Sequence, residues 1–193
     1  MAAATVPATT STAALLVQAG RIARRFPDVA AIWGTRRLDP RLREEVMLAV
    51  AQANACRLCT LAHRRWALAE GVTDAELAAL ENQDPERFDR RTWAAIAWAD
   101  ARARASLGPV PAEFEDELAR YYSAAERDDL DLVTTVMAVA NRSANTFDAL
   151  LARLRGHPVA GSRLLDELLI ATGVAVSIPP VAGYLALTRG CGR

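Results

Sequence analysis

The chain has 193 residues, 52% apolar and 24% charged, with 23 acidic residues balanced by 23 basic ones. That length and balance fit one globular domain with short extensions, and zero net charge supplies no basic surface for a nucleic acid or other polyanion. Every basic residue is Arg and none is Lys, which rules out a lysine nucleophile or Schiff base.

Periodicity is helical nearly throughout and no stretch alternates as a strand for long, so the expected fold class is all-α. Residues 1–20 contain no Arg and lack the basic start and solid apolar run of a secretory leader. The three cysteines, Cys56, Cys59 and Cys191, are an odd number that suits a reducing compartment. The expected location is therefore cytoplasmic.

A first helix is predicted from Thr12 to about Phe26, ending at Pro27, with Trp33 and Gly34 in the loop beyond. Asp39-Pro40 reads as an N-cap followed by proline at the first helical position, opening a helix to about Asn54. After a short break, a cysteine-bearing helix runs from about Cys56 to Glu70 and closes at Gly71. Thr73 to Glu76 and Ser123 to Glu126 both have the capping-box pattern. The first opens a short helix before a polar loop at Asn82 to Glu86, and the second opens a long helix expected to bend or re-form near Asn141 to Ser143 and to end at Gly156. Between these lie a helix from about Asp89 to Ser106, a break at Gly108 to Pro111, and a helix from about Ala112 to Tyr122. The four tryptophans are expected to serve in core and interface packing.

Leu168 to Thr188 carries no charged residue over roughly the length that spans a bilayer. Pro179-Pro180 interrupts it, so two short helices, buried or at a subunit interface, are expected, and membrane association is disfavoured. The organisation predicted is an N-terminal helix and loop extension over 1–34, a helical domain over 35–156 and an apolar helical extension over 157–193.

One cluster carries chemistry. Cys56, Cys59 and His63 are spaced so that, at about 100° per residue, they occupy roughly a 60° arc of one helix face. A thiol at a helix N-terminus has its thiolate stabilised by the free N–H groups there, and His63, one turn past Cys59, is placed to exchange a proton. If the two helices around the break pack as a hairpin, Glu44 would face His63 and hold its imidazole. Glu45 points about 100° away and is expected to be solvated. A lone CxxC can also be half of a zinc site, with His63 and Glu44 completing it, or two inert core cysteines. His157, in a Gly-His-Pro turn, reads as an exposed loop residue, and Cys191 as a free surface thiol.

The run Arg43-Glu44 to Asn54, then Cys56-Arg-Leu-Cys59-Thr-Leu-Ala-His63, followed by Ala67 and Gly71, resembles the carboxymuconolactone decarboxylase-like superfamily in its alkylhydroperoxidase D-type branch. The likeness extends through Arg91 to Ala99 and Leu132 to Leu150, covering about residues 35–155. It implies an alkylhydroperoxidase D-like helical fold, assembly as homo-oligomers (trimers or hexamers), and reduction of hydroperoxides. Electrons would return from an external dithiol reductant such as a lipoyl domain or thioredoxin-like protein, with no bound cofactor and no metal. By the same resemblance Cys59 matches the cysteine oxidised to sulfenic acid. Cys56 matches the one that resolves it and exchanges with the reductant, and Glu44 and His63 match a proton relay. Leu58 departs from the Tyr or His that many relatives carry between the cysteines. The expected function is thus a thiol-dependent peroxidase. The alternatives are a non-catalytic oligomeric scaffold of the same fold, or a protein dithiol reductase-like redox partner.

Overall fold

Helix starts in this chain are set by short polar side chains that satisfy the free N–H groups of a first turn. In the computed structural model, which describes residues 6–176, Ser11 opens α1 (Thr12–Arg24) and Asp39 opens α3 (Pro40–Ala53) by accepting from the Leu42 amide at 2.9 Å. Thr73 and Glu76 form a reciprocal capping box at α5 (Asp74–Asn82), and Asp89 caps α6 (Arg90–Arg104). Ser123 and Glu126 form a second box at α8 (Ala124–Leu154). Substitution of such a cap typically costs about 1 kcal/mol. The remaining elements are α2 (Phe26–Gly34), α4 (Arg57–Ala69), a 3-10 turn at Pro85–Arg87, α7 (Ala112–Tyr121) and α9 (164–176). No strand occurs among the described residues. The fold is all-α, as the periodicity required.

α3 is the central element. Every residue from Arg43 to Ala51 is buried, because α4, α6 and α8 pack around it. A helix covered on all sides has no solvated face to spare for charge, and this is why Glu45, expected to be solvated, is instead 1% exposed. The larger core lies between α3, α6 and α8 and includes Val50, Trp98, Leu130, Val133 and Met137. A smaller one joins Leu48 and Ala67 to Leu77, Leu80 and Ile96.

Two helical boundaries differ from expectation. Pro27 does not end a helix; it lies in the first turn of α2, where proline needs no N–H partner, and Trp33 is helical rather than in a loop. α2 also belongs to the main core, through Ile32 at 0% exposure. α8 runs unbroken for 31 residues past Asn141 to Ser143. The asparagines do not compete for the helix backbone there. Asn145 instead donates to the carbonyls of Ala8 and Asn54, and Arg142 donates to Asn54, Ala103 and Ser106.

The end of the described chain is tied back onto the fold. Arg153 clamps Glu167 with bonds of 2.6 and 2.9 Å, the Thr12 amide donates to Asp166, and Ile170 is 1% exposed. Among the described residues no helix is long and apolar enough to cross a membrane. Pro179-Pro180, most of the second expected C-terminal helix, and Cys191 lie outside the described residues. His157 is exposed, as its turn context suggested.

Candidate active site

The cysteine pair owes its position to how α3 ends. The amides of Ala55 and Cys56 return to the carbonyls of Gln52 and Ala51, both at 2.9 Å, the bond pattern of a Schellman motif. Ala55 takes the left-handed conformation that this motif demands (φ 52°). The chain reverses within two residues, and Cys56, the last residue of the motif, becomes the N-cap of α4. Its Sγ accepts from the Cys59 amide at 3.4 Å.

Cys56 and Cys59 are joined as a disulfide, with Cα atoms 5.3 Å apart. The two sulfurs differ in access: Cys56 is 1% exposed, whereas Cys59 is only partly buried. Leu58, between them, is 67% exposed and so projects away from the site. The side chain at that position faces solvent.

One turn beyond Cys59, His63 enters the interface between α3 and α4 and meets Glu44. The separation from Nδ1 to Oε2 is 2.7 Å, and the two residues are 6% and 4% exposed. A carboxylate can only accept, so Nδ1 carries the hydrogen and Nε2 is left with the lone pair of a base. The edge of Trp66 packs on the imidazole at 4.7 Å and fixes its plane. The other oxygen of Glu44 accepts from Nε and Nη2 of Arg43 at 3.4 and 3.3 Å, and the Arg43 guanidinium lies 5.6 Å from the Trp33 ring centre. Thus Glu44 holds a base on one oxygen and a buried cation on the other.

All four residues singled out in the sequence, Glu44, Cys56, Cys59 and His63, lie on the hairpin of α3 and α4. Three further residues were missed: Arg43, Trp33 and Trp66. Their signal was weak, since an arginine next to a glutamate on a helix usually reads as a solvated pair. The clue was the apolar run Val46 to Ala51 just beyond, which buries the whole segment.

A cleft of about 470 Å3 opens beside this cluster. Trp33, Met47, Trp66, Val136, Met137 and Ala140 supply its apolar wall, and Arg43, Glu44, His63 and Glu70 its polar groups; neither cysteine lines it. Glu45 faces elsewhere: Arg41 donates to it at 3.2 Å and also pairs with Glu76. Burial pushes the Glu45 carboxyl up to about 7 against the opposing pull of Arg41. Among the described residues no group of three or more His, Cys, Asp or Glu side chains is arranged to hold a metal ion.

No curated protein matches the chain. Residues 23–101, from the last residues of α1 into α6, match the model of the carboxymuconolactone decarboxylase family. With α3, α4 and the Cys56–Cys59 pair inside that span, this region of the chain is similar to the carboxymuconolactone decarboxylase family, and its cysteine pair is consistent with the alkylhydroperoxidase D-like branch.

Proposed function

We propose that the protein is a cytoplasmic, homo-oligomeric thiol peroxidase that reduces organic hydroperoxides through its Cys56–Cys59 dithiol. The observation that carries this reading is the buried 2.7 Å contact of Glu44 with His63, one helical turn from a cysteine pair that forms a disulfide. A peroxidase needs a sulfur that can be oxidised, a second sulfur in reach, and a proton acceptor that does not wander.

In the reduced protein the Cys59 thiolate attacks the terminal oxygen of ROOH. The O–O bond breaks, RO⁻ takes a proton to leave as ROH, and Cys59 becomes a sulfenic acid. The Cys56 thiolate then attacks the Cys59 sulfur, the S–O bond breaks and, with one more proton, water leaves. Two electrons have passed from the two sulfurs to the peroxide. An external dithiol returns them by two thiol–disulfide exchanges and is itself oxidised to a disulfide. His63 would accept the thiol proton on Nε2 and return it to the departing oxygen, with Glu44 stabilising the imidazolium between those steps.

The test is consumption of an alkyl hydroperoxide by the reduced protein with a dithiol such as dihydrolipoamide. Wild type should turn over, and Cys59→Ser should lose turnover while keeping its helical circular dichroism. Normal turnover by Cys59→Ser would overturn the mechanism.

A further inference from the structure

Arg43 is 8% exposed, yet its cation is poorly satisfied. Both bonds it gives go to one oxygen of Glu44, at 3.3 and 3.4 Å, longer than the roughly 2.7–2.9 Å of a well-made charge-assisted pair. Among the described residues Nη1 has no hydrogen-bond partner. Nη1 is not sealed from solvent, and the guanidinium forms part of a cleft wall that is otherwise largely apolar, so its unused donors are open to a ligand.

From this arrangement we infer that the cleft beside His63 is a binding site for an amphipathic carboxylate, whose charged end pairs with Arg43 and whose chain lies against Trp33, Met47, Trp66 and Met137. The chemistry of the donor selects the ligand. A guanidinium presents its N–H groups in a flat fork that matches a carboxylate. A neutral hydroxyl could take only one of those bonds, and an ammonium has no lone pair with which to accept from a guanidinium. The other charges fit this assignment. Glu44 already gives one oxygen to His63 and the other to Arg43, and Glu70 accepts from Arg36 at 2.8 Å, so neither carboxylate is left without a partner. The cleft volume, about 470 Å3, is in the range of small-molecule sites, which combine an apolar wall with a few polar anchors. Binding needs no sulfur chemistry, so the site stands apart from the peroxidase reading. Should both hold, hydroperoxides of carboxylic acids would be the preferred substrates.

The test is a titration of tryptophan fluorescence in the full chain, at low salt, with decanoate, decan-1-ol and decylamine, each below its aggregation concentration. Decanoate should bind at least about ten-fold more tightly than the alcohol, and the amine more weakly than either. Arg43→Met should bring acid and alcohol to equal affinity while the alcohol still binds. Because a change at buried Arg43 can unsettle the fold, Ala140→Phe provides a second arm: Ala140 is exposed at the cleft, and the larger side chain should weaken all three ligands. Running the same titrations on Cys59→Ser separates this site from the redox chemistry, since that variant should bind decanoate as wild type does. Equal affinity of acid and alcohol in wild type, tightest binding of the amine, or decanoate binding untouched by both cleft variants would overturn the inference.

Discussion

Glu44 and His63, 19 residues apart in sequence, meet at 2.7 Å across the hairpin of α3 and α4. The contact exists because the tight reversal after Asn54 folds α4 back along α3, carrying His63 to the level of Glu44. Both side chains are buried, so the imidazole cannot swing to water for an alternative partner. A base held in this way keeps one tautomer throughout a reaction cycle.

Replacing Glu44 by Gln should therefore damage catalysis more than folding. An amide can still bond Nδ1, but it no longer stabilises a positive imidazole. The expected loss in hydroperoxide turnover is about 10²-fold, typical of a disabled general base. His63→Asn should lose a similar factor, and the double variant little more than either single one, because the two residues act as a unit. Stopped-flow consumption of peroxide, with thermal melts as the folding control, checks this.

The two sulfurs should differ in the reduced protein. Cys56 is capped under the α3–α4 turn at 1% exposure, while Cys59 is partly open. Brief treatment with iodoacetamide after reduction should label Cys59 well before Cys56, as read by mass spectrometry of the tryptic peptides. The same asymmetry bears on recycling. A bulky protein dithiol meets Cys59 more readily than Cys56, whereas the family resemblance gives the exchange to Cys56. Preferential labelling of Cys56 would show that the α4 N-terminus opens on reduction.

How far the sequence could be read depended on the range of each signal. Caps are local, so Asp39, Thr73 and Ser123 announced their helices within a few residues. The cluster at Cys56, Cys59 and His63 was equally local, being one helix face. Glu44 required a tertiary contact, and the short α3–α4 connection made an antiparallel hairpin the natural guess. Pro27 misled because proline both stops helices and starts them, and only the packing of Ile32 into the core distinguishes the two. Glu45 misled because burial of α3 on every side depends on α6 and α8, which arrive from far along the chain. Arg43 was hidden for the same reason.

Glu45 should leave a mark on stability. Its carboxyl titrates near 7 in the folded protein, raised by burial from an ordinary 4.5. The unfolded chain therefore ionises first, and folding stability is lost as pH rises from about 4.5 to about 7. Below that window both states are protonated and the penalty vanishes. Above it the penalty is complete, at most about 3 kcal/mol from the size of the shift. Glu45→Gln removes the ionisation. Its melting temperature should sit near that of wild type at pH 4.5 and several degrees above it at pH 8. A gap that shrinks with rising pH would contradict the assignment.

Assembly should depend on α9. Glu167 and Ile170 fix one side of this helix to the body of the protein, and the other side presents Leu164, Leu165, Leu168 and Leu169, each about half exposed or more. Four leucines at spacings of one and four residues form a continuous stripe on a helix, and a contiguous apolar patch of that kind marks an association surface. Light scattering at micromolar concentration should give a trimer or hexamer for wild type. A paired change, Leu165→Glu with Leu169→Glu, should release monomers without melting the fold, because neither side chain belongs to a core. A wild-type protein that is monomeric at those concentrations would remove the proposal of a homo-oligomer, while the hairpin chemistry of Glu44, His63 and the two cysteines would remain open to its own tests.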